Sequence, residues 1–344
     1  MNAALHPSQA AAPTTPGFVR MFAPGKLTLG LFFPIAAYES DLPSLEGQTT
    51  LAAAADEAGF AALWTRDVPL RDPGFGDLGQ VLDPWVWMTY MLPYLKQAAL
   101  ATGSLILPLR HPVHTAKAAA SLDLLSGGRL VMGVASGDRP VEFPAFGVEP
   151  GTRGERFRET FAYLETLLGE SFPRIHSPLG ELAGADLMPK PGHGRLPIGV
   201  TGGSQQSPDW IAAHADFWLT YPRAPQVQAQ VLGDWRAAVE RTGAAFQKPV
   251  AQSLYIDLAA DPDETPRPIH LGFRLGRNRL IELLRMLSQM GVNHVAFVLK
   301  FSRRPVAEVL DELAREVVPH FPAHRNPIAT PSTLSIAPHK ELSA

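Results

Sequence analysis

Eight short apolar runs, each followed by a stretch long enough to hold a helix, constrain this chain more than any other feature of its sequence. They lie at 27–33, 61–67, 99–107, 129–135, 197–201, 216–220, 250–258 and 293–299. Their β-branched and aromatic residues run almost without polar interruption, whereas a half-exposed antiparallel sheet would alternate. Strands of this kind are covered on both faces, which predicts a parallel sheet wrapped by helices. Eight strand–helix units make a closed (β/α)8 TIM barrel, and 344 residues can form one such domain. A doubly wound open sheet is the alternative. It is less favoured because the count reaches eight without a break in composition between halves.

Local signals place some helices. Asp83-Pro84 is an N-cap followed by a first-turn proline, and Ser126-Gly127-Gly128 ends the helix that begins near Val113. The stretch 169–195 is long and rich in Pro and Gly, and is expected to run over the barrel mouth without forming a new domain. Residues 1–25 and 323–344 share an Ala/Pro-rich composition and are expected to be mobile extensions flanking a barrel at 26–322.

Thirty basic and thirty-three acidic side chains give a net charge of −3 without long runs, which argues against nucleic acid as a partner. The chain has no cysteine, so disulfides, thiolate metal sites, iron–sulfur clusters and a catalytic thiol are excluded. The N-terminal segment lacks the apolar core of a secretory signal, and no apolar run approaches the ~20 residues that span a bilayer. A cytoplasmic location away from membranes is expected.

Most motifs fail on context. Gly74-Phe-Gly-Asp-Leu-Gly79 matches GxGxxG, but four residues separate it from the strand before it and the next helix starts only at Asp83-Pro84. A pyrophosphate site needs strand, turn and helix in direct succession, so a flexible loop is predicted there and no NAD site. No GxSxG elbow or Walker A loop occurs. His111 and His114 are separated by Pro112 and lack a third ligand at a suitable spacing. They are expected at a strand end and helix start, with His111 able to reach a ligand.

The segment Val200-Thr-Gly-Gly-Ser-Gln-Gln-Ser207-Pro-Asp-Trp210 is different. A strand runs into two glycines, then into small polar residues, then into Ser207 as N-cap and Pro208 as first helical residue. Free amides at such a terminus attract anions, so a phosphate fits. An ordinary capped helix explains the segment equally well, and Asp209 counts slightly against an anion.

From LILPLRHPVHTAKAAASLDLLSGGRLVMGVASGD (105–138) and TGGSQQSPDWIAAHAD (201–216), the chain resembles the bacterial-luciferase-like flavin monooxygenases. The resemblance extends by element order over 27–320. It implies reduced FMN at the C-terminal end of the barrel, with its phosphate on the loop after the fifth strand at Gly203, Ser204 and Ser207. It also implies a non-proline cis peptide between Gly103 and Ser104 beneath the flavin ring, and Ala135 and Ser136 lining that ring. The second strand ends Trp64-Thr65-Arg66-Asp67 where luciferases carry Glu-His-His, so light emission is not implied. Ser136 stands where luciferase has an arginine, so that phosphate contact must come from elsewhere. Arg66 and Asp67 at a strand's C-terminal end are the catalytic candidates, with a structural ion pair as the alternative. Tyr221, Arg223 and His111 are candidates for the substrate side. The resemblance further implies reduction of FMN by a separate flavin reductase, a small organic substrate and a homodimer. Hydride transfer with a deazaflavin coenzyme, or flavin binding without catalysis, remain open on the same barrel.

Overall fold

The computed structural model describes residues 11–39, 42–72, 74–75 and 82–324. Every one of the eight expected strands is present: β1 Thr28–Phe32, β2 Ala62–Thr65, β3 Ala99–Ile106, β4 Leu130–Ala135, β5 Ile198–Thr201, β6 Phe217–Thr220, β7 Val250–Leu258 and β8 His294–Val298. They pair in parallel in chain order, and β8 closes the sheet by pairing with both β7 and β1. The sheet is therefore a closed barrel, and the open-sheet alternative falls. The helices that follow the strands are α1 Gln48–Ala58, α2 Pro84–Met91, α3 Pro112–Ser126, α4 Arg153–Gly169, α5 Pro208–His214, α6 Pro225–Arg241, α7 Arg277–Met290 and α8 Val306–Glu312.

Strand alternation divides the apolar residues into two layers. Leu29, Leu31, Leu63, Met132, Val200, Ile256 and Phe297 face outward into the helices. Phe32, Trp64, Ala101, Val131, Phe217 and Tyr255 face inward and fill the barrel. Both faces of each strand are buried, which is why the runs read as nearly continuous.

Two expectations are corrected. Residues 1–25 were expected to be a mobile extension, but Pro16–Met21 is a helix that plugs the barrel floor. Thr15 caps it, the Gly17 amide donates to the Gly128 carbonyl at 3.0 Å, and Phe18, Met21 and Phe22 are buried against the interior layer. Residues 1–10 lie outside the described residues. At the other end Phe321 is buried and the His324 amide donates to the Arg20 carbonyl at 3.2 Å, so residues 323 and 324 of the expected tail are tied to the plug, while 325–344 lie outside the described residues.

The 169–195 excursion is not at the mouth. It carries a hairpin, Ile175–Ser177 with Gly180–Leu182, and packs along α4 and the lower end of α3. Lys190 Nζ donates to the Leu167 carbonyl at 2.8 Å, and the Gly192 amide donates to Asp123 Oδ2 at 2.9 Å. The reason is topological. A helix in this fold descends from the strands' C-terminal end to their N-terminal end, so whatever joins α4 to β5 starts and finishes at the floor. The elaboration at the mouth follows β7 instead, where Gly272–Leu275 extends the sheet beside Tyr255–Leu258 and pairs back with Arg267–Ile269.

Near the floor, Trp64 Nε1 donates to His294 Nε2 at 2.9 Å, and Thr28 Oγ1 lies 2.7 Å from both His294 Nδ1 and the Met21 carbonyl. Trp64 can only donate, so Nδ1 carries the imidazole proton and passes it toward Thr28, whose own hydroxyl donates to Met21. Burial drives the pKa of His294 down to about 3. A depressed histidine pKa means that the unfolded chain takes up the proton first. Its stabilising contribution is complete above ~6.5, the unfolded value, and is lost as pH falls toward the folded value. Urea unfolding of the wild type and of His294→Gln at pH 7 and pH 5 should show a loss, specific to the wild type, of about 2 kcal/mol. Equal pH dependence in the two proteins would mean that the imidazole is not held neutral.

Candidate functional site

The C-terminal end of the barrel gathers the residues singled out in the sequence. The peptide between Gly103 and Ser104 is cis. Gly103 has no room for a side chain: a Cβ there would stand 2.9 Å from Phe32 Cζ and 3.0 Å from Trp64 Cε3. The backbone of β3 thus presses directly on two interior rings. The Ser104 hydroxyl makes a very short hydrogen bond to Thr201 Oγ1 at the end of β5, and both residues are buried. Ala135 closes β4 beside the apolar group Ile106, Leu109, Phe143 and Val148, and Ser136 follows it into the loop, also buried.

Thr201 leads from this floor into the glycine loop, where its carbonyl accepts from Ser204 Oγ at 2.7 Å. Gly202, Ser204 and Gln205 take positive φ values of 55°, 41° and 59°, a left-handed geometry that turns successive amides to one side. The amides of Gly203, Ser204 and Gln205 donate to no acceptor among the described residues, while Gln206 N closes the turn on the Gly203 carbonyl at 2.7 Å. Ser207 caps α5 as expected, its Oγ accepting from Trp210 N at 3.2 Å. Asp209 does not oppose an anion as the sequence suggested, because Arg241 takes up its carboxylate at 2.6 Å.

The loop rests on the start of α4. A Cβ on Gly154 would stand 2.7 Å from Gln205 Cβ, and Gln206 Nε2 donates to the Gly154 carbonyl at 2.8 Å. Arg153, next to Gly154, buries its Nε with no hydrogen-bond partner among the described residues, while Nη1 donates to the Pro150 carbonyl at 2.8 Å. Three amides without acceptors, on a loop that packs against the residue following Arg153 and its leftover buried N–H, are donors that a phosphate would satisfy. The donor set therefore fits the phosphate of a flavin mononucleotide, and the close backbone of β3 fits a flat ring above it.

The rim residues have separate fates. Arg66 donates to the Tyr255 hydroxyl at 2.8 Å and lies over the rings of Phe32 and Tyr255, at 5.3 and 5.9 Å. Asp67, on the other face of the strand, is 4% exposed and grips Arg110 through Nε at 2.6 Å and Nη2 at 2.7 Å, while Oδ2 also accepts from Ile106 N at 3.0 Å. Burial works against the Arg110 charge, and Asp67 with Asp83 more than restores it, so its pKa is raised. His111 is exposed and spends Nδ1 on the Val113 amide, at 3.3 Å, as the cap of α3. Arg223 folds back onto Thr220 Oγ1 and the Tyr221 carbonyl, both at 2.8 Å, and Tyr221 lies against Gly202 at the edge of the loop.

Several contributors were missed in the sequence. Thr201 was hidden as the last residue of a strand, although it abuts the quoted glycines. Arg153 sits 49 residues before Gly202 and has no local pattern to mark it. Glu142, in the short helix Glu142–Ala145 after β4, is buried with Oε1 unpartnered among the described residues. Burial raises its carboxyl to about 7 against the pull of Arg139, so it can exchange a proton near neutrality. The GxGxxG segment has Gly74 and Phe75 in a turn, and Gly76 to Gly79 lie outside the described residues. Among the described residues no group of His, Asp or Glu could hold a metal, and no helix is long and apolar enough to cross a membrane.

The family model for luciferase-like monooxygenases matches residues 27–276. An uncharacterised protein of Mycobacterium tuberculosis is 32% identical over 197 residues, 56% of this chain and 67% of that protein. Among solved structures, an F420-dependent secondary alcohol dehydrogenase in complex with an F420-acetone adduct is similar with a TM-score of 0.71 at 18% identity, over 86% of this chain and 99% of that one. The oxygenating constituent of 3,6-diketocamphane monooxygenase from Pseudomonas putida, in complex with FMN, is similar with a TM-score of 0.68 at 14% identity, over 86% and 98%.

Proposed function

Because this chain belongs to the luciferase-like monooxygenase family, we propose that it is the oxygenating component of a two-component system, taking reduced FMN at the barrel mouth and acting with O₂ on a small organic substrate. The observation that carries this reading is the Gly202–Ser207 loop, whose amides at 203, 204 and 205 donate to no acceptor among the described residues and which packs on Gly154, next to Arg153 with its buried, unpartnered Nε. That donor set takes a terminal phosphate, which FMN has and riboflavin lacks. Reduced FMN supplies the electrons with which O₂ is activated and one oxygen atom passed to the substrate.

The chain's own residues bind, orient and exclude water. Ser204, with the Gly203 amide and Arg153, holds the phosphate, and Ser207 fixes the helix that ends the loop. Ser104 and Thr201, locked to each other, position the ring edge over Gly103, with Ala135 and Ser136 on its flank. Arg66 and Tyr255 face the substrate, with Tyr221, Arg223 and His111 farther out along the rim. Asp67 acts through Arg110 and the Ile106 amide, as a positioning residue for the end of β3. A cytoplasmic homodimer working with a separate reductase completes the proposal.

The experiment follows from the source of electrons. With FMN, NADH and oxygen, the purified protein should consume NADH no faster than a blank, and an added flavin reductase should enable substrate oxidation. Rapid NADH oxidation by the chain alone would overturn the two-component reading. The similarity to an F420-dependent dehydrogenase supports a second reading, hydride transfer with a deazaflavin. Tight binding of a deazaflavin with weak binding of FMN would select it.

A further inference from the structure

A second cavity opens on the barrel floor, at the opposite end from the flavin site. Its volume is about 380 Å³, within the ~300 to 1,000 Å³ typical of small-molecule sites. Phe18 and Phe22 of the floor plug, Trp235 and Val239 of α6, and Phe246 make it apolar. Polar residues also line it, but Arg236 and Glu240 are exposed, and Lys248, just before β7, is the buried charged side chain of this lining. It is only 5% exposed, and its ammonium makes no hydrogen bond or ion pair with any described residue. The ammonium lies 6.0 Å from the centroid of the Phe246 ring.

A largely buried ammonium that forms no close ion pair or hydrogen bond is costly unless a ligand supplies one. Burial pushes the Lys248 amine down to about 8; Asp216 and Glu165 pull it back up and Arg195 pushes it further down. Neither carboxylate comes within ion-pair distance of it. Asp216 is held by Arg195 and by the Ile198 amide at 2.9 Å, and burial raises the Glu165 carboxyl to about 7. At the rim, Arg236 is spent on the Met290 carbonyl, and Glu240 is exposed.

We propose that this floor cavity binds an amphipathic monocarboxylate, its apolar body among Phe18, Phe22, Trp235 and Val239 and its carboxylate on Lys248. The single ammonium matches a single negative charge, and the apolar lining matches a hydrocarbon body rather than a sugar or nucleotide. The site is separate from the flavin and does not depend on the reading given to the mouth.

The test is calorimetric titration of the full chain with decanoate and, as the uncharged control, decanol. The wild type should bind decanoate saturably, one per chain, at least tenfold more tightly than decanol, and equally well with and without saturating FMN. Lys248→Met should bring decanoate to the level of decanol while leaving decanol binding unchanged. Val239→Trp, which fills the cavity and keeps the lysine, should abolish both. Circular dichroism and melting temperature establish that each variant is folded, and either variant alone suffices if the other is not. Absence of saturable decanoate binding to the wild type would overturn the proposal. So would undiminished binding in a folded variant, or competition between decanoate and FMN, which would put the carboxylate at the mouth.

Discussion

Gly103→Val should reduce flavin affinity by about 100-fold, some 2.7 kcal/mol, in a protein that still folds. The cause is space. Atoms in contact normally stand 3.4 Å or more apart, and the first carbon of any side chain at 103 would meet Phe32 and Trp64 at 2.9 to 3.0 Å. Trp64 cannot retreat, because its indole N–H is committed to His294 and it is fully buried. Phe32 is the softer neighbour, so it must swing toward the mouth, into the volume assigned to the flavin ring. Overpacking of this kind costs ~1 to 3 kcal/mol, so the variant should be recoverable and its melting point modestly lowered. Gly103→Ala should show a smaller loss of the same sign, and Phe32→Leu added to the valine variant should restore part of the affinity. Fluorescence-quenching titrations measure each. Affinity within twofold of the wild type for the folded valine variant would mean that the ring does not lie over Gly103.

Asp67→Ala should destabilise the protein by about 3 kcal/mol, the usual result of stripping one partner from a buried ion pair. Both carboxylate oxygens serve Arg110, and Oδ2 also holds the Ile106 amide two residues beyond Ser104. Removing the carboxylate leaves a largely buried guanidinium with only Asp83, 2.9 Å from Nη2, and frees the end of β3. Arg110→Met added to the alanine variant should recover part of the loss, because the uncompensated charge is then gone. Chemical unfolding of the four proteins gives the coupling directly. An alanine variant as stable as the wild type would show that Asp67 is not a structural support and return it to the catalytic candidates.

How much of this could be read from the residues depended on distance along the chain. The strands were legible because burial on both faces makes each one a continuous apolar word. The helix starts were legible because a capping side chain and a first-turn proline are adjacent, as in Asp83-Pro84 and Ser207-Pro208. The same grammar, Thr15-Pro16, marks the floor plug, but the surrounding Ala, Pro and Thr have the composition of a linker and mask the short Phe18-Val19-Arg20-Met21-Phe22 run. The misplaced excursion was an error of topology: a long segment between a helix and the next strand belongs to the floor whatever its composition. Within the site, Gly103, Ser104 and the 203–207 loop came from local motifs carried by resemblance. Arg110, Arg153 and Tyr255 reach the site from other elements, and no spacing rule connects a residue at 66 with one at 255. The role of Asp67 was undecidable from sequence for the same reason, since its partner lies 43 residues away.

In this proposal a phosphate seated on the loop after β5 anchors the flavin. The decisive measurement is a pair of titrations, FMN and riboflavin, against the wild type and Ser204→Asp. Aspartate tolerates the left-handed backbone at 204 and places a negative charge where the phosphate would sit. Wild-type protein should bind FMN at least ~30-fold more tightly than riboflavin, about 2 kcal/mol, as charge-assisted hydrogen bonds to a phosphate allow. In Ser204→Asp that preference should vanish through a loss in FMN affinity alone, with riboflavin held as before. Equal wild-type affinities for the two flavins, or equal losses for both in the variant, would contradict the claim and place the phosphate elsewhere.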